Sequence, residues 1–345
     1  MQQEVQEYLN SLPDDTIIID LSSENLEILP DLSRFTNLQI LNCNHNQLTY
    51  LPILPATLQT LYCASNRLTH LPILPTTLQK LFCNNNDLTC LPILPATLQK
   101  IHCVSNQLKH LPVLPDALQK LDCTHNNLTC LPKLPTRLQK LKCSMNKLTC
   151  LPNLPLYLQE LTCGYNKLTC LPELPTNLQM LHCNFNKLTR LPVLHRYLQE
   201  LCCSSNQLTS LPILPQRLQF ISCEINELKY LPVLPENLQS INCAVNNLTY
   251  LPVLPDNLDA CSHNNNYIYY IGFHDNIQTI KRKSKIMNRF KYTYYACRLK
   301  DRFRNFLWSR VREPKIQEQF HPKHLAAFKD NVDECSESQI NSIWG

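Results

Sequence analysis

From residue 51 to residue 270 the apolar positions return every twenty residues, eleven times without a break. Each unit reads L-x-x-L-x-C-x-x-N-x-L-x-x-L-P-x-L-P, shown once by Leu58, Leu61, Cys63, Asn66, Leu68, Leu71, Pro72, Leu74 and Pro75. Leu61 and Cys63 alternate with Tyr62 and Ala64, the period of a strand with one buried face. The spacing predicts a strand of about three residues per coil, with the coils stacked as a parallel sheet. The two prolines of each unit can neither donate to a ladder nor sit inside a helix, so the return path is expected to be extended. The fold expected is an α/β-type repeat solenoid without convex helices, in which each coil buries itself against its neighbours.

The pattern decays at both ends. Ile17, Ile19, Leu21 and Leu26 suit a first coil, but Glu24 stands where the asparagine belongs. The unit over residues 29–50 has extra length at Ser33–Thr36. Before it, Val5, Tyr8 and Leu9 share a helical face, so residues 2–11 are expected to cap the core with a short helix. At the far end Cys261 takes a leucine position and His263 a cysteine position, and 267–280 reads as a partial coil or cap. His195 replaces a proline within the array, where a looser return path is expected. The expected divisions are 1–15, a helical cap; 16–270, the solenoid of about 12–13 units; and 271–345, a terminal cap with a basic helical segment.

Two columns run through the core. Asparagine recurs at Asn46, Asn66, Asn86, Asn106, Asn126, Asn146, Asn166, Asn186, Asn206, Asn226, Asn246 and Asn266. A buried amide carries two donors and an acceptor, so this column is read as a structural ladder that satisfies an inward-turning backbone. Cysteine recurs from Cys43 to Cys243, eleven of the nineteen in the chain. In a tight coil it serves as a small hydrophobe. Bridges between coils or a metal column are the alternatives, though parallel side chains do not converge. Cys90, Cys130, Cys150 and Cys170 precede the Leu-Pro step and are expected at the surface.

The unit resembles the leucine-rich repeat over roughly residues 16–270. Its L-P-x-L-P segment is similar to the subtype of bacterial YopM- and IpaH-type effectors. The resemblance implies a horseshoe with a parallel concave sheet, an extended convex side and short helical caps at both ends, and partners that dock on the concave face. IpaH-type proteins also carry a ubiquitin-ligase domain whose cysteine is followed two residues later by aspartate. Here Cys297 is followed by Arg298, Leu299, Lys300 and Asp301, so that activity is not carried over. Residues 308–325, WSRVREPKIQEQFHPKHL, resemble tails of repeat proteins from giant DNA viruses that infect amoebae.

Composition narrows the function. With three glycines in 345 residues, phosphate loops and dinucleotide fingerprints are excluded. No cofactor and no enzymatic activity are expected. The N-terminus lacks a signal-peptide pattern and no apolar run would span a membrane, so a cytoplasmic setting is expected, the host cytoplasm if the chain is viral. Net charge is +5, but residues 281–345 hold fifteen basic against seven acidic side chains, leaving the remainder at −3. The basic segment 281–312, with aromatics interleaved, either packs on the solenoid end or binds nucleic acid or anionic membrane. A zinc site from Cys297, His321, His324 and Cys335 matches no common spacing.

The expected function is a protein-interaction scaffold. An adaptor or ligase-like effector and a nucleic-acid-associated protein are the alternatives. One outward column runs Thr60, Lys80, Lys100, Lys120, Lys140, Glu160, Met180 and Glu200. Lys142, Lys147, Lys167 and Lys187 extend the basic zone, beside an apolar stripe of His125, Met145, Tyr165 and Phe185. The candidate partner-binding residues are therefore Lys120, Lys140, Lys142, Lys147, Tyr165, Lys167, Phe185 and Lys187, and the expected partner is a host protein with an acidic surface. The array itself makes a prediction. Deleting residues 91–110 should leave a cooperative urea transition, whereas deleting ten residues should abolish it, because the inward and outward faces lose register.

Overall fold

The computed structural model describes residues 2–272 and 275–291. The chain divides into two compact units, Met1–Ser284 and Lys285–Gly345. In the second, only residues 285–291 are described, and they are helical. The tail readings on Cys297, His321, His324, Cys335 and residues 308–325 lie outside the described residues, as does most of 281–312.

The first unit is a parallel β-solenoid. It opens with helix α1 (Gln2–Ser11). Thirteen three-residue strands follow, β1 (Ile18–Asp20), β2 (Ile40–Asn42), β3 (Thr60–Tyr62) and onward at twenty-residue steps to β13 (Ala260–Ser262). They form one sheet in chain order. Each strand pairs in parallel with the next at equivalent positions, Leu61 against Leu81 and Leu81 against Ile101. From β2 to β12 the middle residue of each strand and the cysteine two positions later point inward, as Leu61 and Cys63 do with no exposure. The L-P-x-L-P return is irregular extended chain closed by a turn bond, Leu58 N to Pro55 O at 3.1 Å. The convex side carries no helix among the described residues.

Between strand and return path the chain turns through a left-handed residue. Twelve of these recur at twenty-residue steps from His45 to Asn265, with φ between 52° and 57°. None is glycine. Side chains in this region are strained, β-branched ones such as Ile225 and Val245 most of all. Stacking holds them there: Ser65 N donates to Asn84 O at 2.8 Å and Asn66 N to Asn85 O at 3.2 Å.

The turn delivers the asparagine to the core, and the ladder forms as read. Asn66 Nδ2 donates to Cys43 O at 2.9 Å, Cys63 O at 3.3 Å and Ala64 O at 3.2 Å. Its Oδ1 accepts Leu48 N from the preceding coil at 3.0 Å. The motif repeats through Asn126, which accepts Leu108 N, to Asn266, which accepts Leu248 N. In the first coil, Asn46 Oδ1 accepts both Glu24 N and Leu26 N, so the next coil's amide serves where Glu24 departs from the pattern.

The cysteines do more than fill space. Cys43 Sγ donates to Tyr62 O at 3.3 Å and Cys123 Sγ to Lys142 O at 3.4 Å. The same carbonyls accept the cysteines' own N–H groups. A thiol is a small hydrophobe with one weak donor, and this site uses both properties.

Both ends are tied. Val5 and Leu9 of α1 are buried, while Tyr8, placed on the same face by spacing, is 40% exposed. The lengthened coil supplies Arg34, which stacks on buried Phe35 at 4.5 Å. Arg34 also pairs with Asp14 at 3.0 Å and donates to the carbonyls of Leu9 and Leu12. A cation on carbonyls at a helix C-terminus satisfies groups left without helical partners. At the far end Tyr270 Oη accepts Leu251 N at 2.9 Å, and helical residues 277–284 place Lys281 Nζ 2.8 Å from Asp256 O. His195 does not loosen the return: Leu198 N reaches His195 O at 3.1 Å, the same bond that Leu178 makes to Pro175. The turn depends on the carbonyl at this position, which histidine retains.

Burial pushes the thiols of Cys43, Cys83, Cys163 and Cys223 up to about 12. The other column thiols of the central coils shift the same way, again by burial. In native protein Cys63 to Cys223 should resist thiol reagents that label Cys90, Cys130, Cys150 and Cys170; rapid labelling of the column would refute this packing. Because the folded pKa lies above the unfolded value, this contribution is full below about pH 9 and lost as pH rises toward 12. Denaturation between those limits should show stability falling by up to ~1.4 kcal/mol per pH unit for each such thiol. Separately, Asn126→Ala should cost ~1–3 kcal/mol in urea unfolding, since it strands Leu108 N and leaves the Cys103 carbonyl only its bond from Asn106 Nδ2.

Candidate functional site

The strand face presents two outward columns, one from the first and one from the third residue of each strand. In the first column Lys80, Lys100, Lys120 and Lys140 stand on consecutive strands in direct register. Neighbouring strands lie ~4.8 Å apart. Burial lowers the Lys100 pKa, and the charges of Lys120 and Lys80 push it the same way. Repulsion ends at Glu160, which forms an ion pair with Lys140. Thr60, placed in this column by register, is buried.

The third-residue column holds a feature that the sequence reading passed over. Tyr62 and Phe82 stack with ring centroids 4.7 Å apart and planes 9° from parallel. Phe82 meets the His102 ring at 5.0 Å. Lys100 Nζ lies 6.0 Å from the centre of the Phe82 ring. Burial lowers the His102 pKa against the opposing pull of Asp122, so the imidazole is held toward its neutral form. The signal was available: Tyr62, Phe82 and His102 occupy one repeat position on three successive units. Further along, His182 Nε2 and Glu200 Oε1 lie 2.8 Å apart.

The candidate residues divide into two sets. Lys120, Lys140 and Lys142 lie on strands, with Lys142 exposed. Tyr165, Phe185, Lys147, Lys167 and Lys187 lie on the loop edge that follows the strands. There the structure brings Tyr165 and Phe185 together, stacked at 4.1 Å and 13°, each more than two-fifths exposed. Both occupy left-handed positions, with φ of 52° and 53°. Met145 and His125 continue the stripe along the same edge, and Ser105 Oγ lies 3.1 Å from His125 Nδ1. The three edge lysines are exposed, and their backbone N–H groups donate to the preceding coil, as Lys167 does to Leu148 O at 2.8 Å.

The arrangement offers cations and flat aromatic faces on a rigid lattice. Among the described residues no group of three His, Cys, Asp or Glu side chains could hold a metal, and no helix is long and apolar enough to cross a membrane.

No family model matches the chain, and no curated protein matches it. Solved structures do match. YopM from Yersinia enterocolitica WA-314 is 36% identical with a TM-score of 0.73, over 75% of this chain and 57% of its own. The chain therefore spans less than two thirds of that protein. The leucine-rich effector protein YopM from Yersinia pestis is 33% identical with a TM-score of 0.70, over 74% of this chain and 73% of its own. The functional domain of InlJ from Listeria monocytogenes, which includes a cysteine ladder, is 25% identical with a TM-score of 0.57, over 73% of this chain and 64% of its own.

Proposed function

The chain belongs to the leucine-rich-repeat family that includes YopM, and on that footing we propose that it is a non-enzymatic scaffold that binds a partner protein on its strand face. The observation that carries this reading is the lysine column Lys80, Lys100, Lys120 and Lys140, held in register beside stacked Tyr62 and Phe82. Like charges on adjacent strands repel one another, and an opposing surface of carboxylates relieves that repulsion. Aromatic rings provide large contact area at small entropic cost and dominate interface energetics. The partner is therefore a protein with an acidic surface, and the Tyr165–Phe185 pair extends the contact onto the loop edge. On the same reading the protein works in the cytoplasm, that of a host cell if the tail resemblance reflects its origin. The charge of +8 on residues 281–345 supports a second contact, with nucleic acid or an anionic surface.

The test is affinity capture with the full chain, followed by binding measurements on the captured partner. Replacing Tyr62 and Phe82 by Ala, or Tyr165 and Phe185 by Ala, should weaken binding by ~2 kcal/mol or more while leaving the thermal melt unchanged. Replacing Lys100 and Lys120 should mainly slow association and flatten its dependence on salt. Binding that survives all three double substitutions at wild-type affinity would remove the strand face and its edge from consideration.

A further inference from the structure

The outer side of the solenoid carries a ridge that neither the fold nor the proposed strand-face site uses. The residue between the two Leu-Pro steps of each unit points into solvent. Ile53, Ile73, Ile93 and Val113 are 87–95% exposed on four successive coils. Lys133, Asn153 and Glu173 follow, all exposed. Aliphatic residues then resume at Val193, Ile213, Val233 and Val253, with 54–88% exposure. Single exposed aliphatics are ordinary, but eight aligned on one line form a patch that marks an interaction surface.

The order along the ridge identifies the occupant. Its eleven positions are symmetric about Asn153: four aliphatics, a lysine, the asparagine, a glutamate, four aliphatics. We propose that two copies of this chain associate antiparallel, ridge against ridge, about a two-fold axis at Asn153. In that arrangement Asn153 meets its own copy, Lys133 meets the partner's Glu173, and Glu173 meets the partner's Lys133. Val113 then faces the partner's Val193, and Ile93 faces the partner's Ile213. An isologous interface requires this self-complementarity. A parallel pairing sets Lys133 against Lys133 and Glu173 against Glu173, so charge selects the antiparallel form.

The neighbouring exposed column obeys the same symmetry. A two-fold axis across the solenoid brings each column against itself. Leu156, 71% exposed, then meets its own copy. Thr136 faces the partner's Thr176, and Asp116 faces the partner's Arg196, the second opposite-charge pair from an independent set of residues.

Geometry permits a long contact. Coils are tied on both flanks of the ridge, by Thr77 Oγ1 to Ala56 O at 2.7 Å and by Lys147 N to Leu128 O at 2.9 Å. Extended chain on this side therefore advances at about the strand spacing, and ten steps of ~4.8 Å give a ridge ~48 Å long. Four residues of extended chain across it add a width of ~13 Å. The footprint is roughly 620 Å² per copy, at the lower edge of specific interfaces, which bury ~600–1,000 Å² per partner. A dimer in the micromolar range is the expectation.

Sedimentation velocity of the full chain over a concentration series provides the test. Wild type should show a reversible monomer–dimer equilibrium. I93K/I213K, at sites 91% and 88% exposed, should be monomeric at every concentration with an unchanged melt. K133E and E173K should each weaken the dimer ~10-fold, because every substitution acts twice in a symmetric interface. K133E/E173K should restore the wild-type constant, an outcome that neither parallel pairing nor general stickiness gives. A chain that stays monomeric to its solubility limit overturns the proposal. So does a dimer that I93K/I213K leaves intact, or a double exchange no tighter than the single ones. Tyr62→Ala/Phe82→Ala should leave the equilibrium unchanged, which separates this surface from the strand-face site.

Discussion

A chain that turns inward every twenty residues must find partners for the peptide groups it takes out of water. The asparagine ladder meets that constraint. One amide closes the carbonyls of two coils and accepts an N–H from the coil before it, so Asn66 ties Cys43, Cys63, Ala64 and Leu48 together. Unpaired buried peptide groups cost enough that a single missing rung is felt. Each rung bonds across a coil boundary, and this makes the array cooperative between neighbours.

The cysteine column and the left-handed turn depend on the same arrangement. The ladder amide bonds the carbonyl of the cysteine, so the cysteine must sit one short turn before it. The left-handed residue at position 65 and its equivalents makes that turn. Residues as unsuited to it as Ile225 and Val245 are held there by inter-coil backbone bonds, such as Ile225 N to Ala244 O at 3.0 Å. A thiol at the cysteine position fits the narrow interior and donates weakly to the next coil, which a leucine could not do.

A lattice this regular turns each repeat position into a column, and columns amplify chemistry. Lysine at one position becomes a row of adjacent cations, tyrosine and phenylalanine become a stack, and a valine or isoleucine becomes a ridge. Two faces follow with different chemistry: charge with aromatics on the strand side, aliphatics broken by one cation and one anion on the outer side. Folding leaves both exposed, because the core is already filled by the leucine, cysteine and asparagine columns.

Much of this architecture is legible in the sequence. The period of twenty, the inward pair Leu61 and Cys63, the asparagine ladder, the extended return and the helix over 2–11 all follow from alternation and spacing, since burial on one face imposes a pattern along the chain itself. Other features arise between coils, where residues twenty apart become neighbours. The Tyr62–Phe82 stack and the Lys100 contact with Phe82 exist only once register is set. Arg34 reaches the carbonyls of Leu9 and Leu12 only once the lengthened coil meets the end of α1. The left-handed column left no trace in composition, because glycine, the residue that signals such a backbone, is absent from it. Sequence determined which residues each coil buries, for burial is a local demand repeated eleven times. The tertiary structure decided which exposed residues act together, because that depends on the distance between coils.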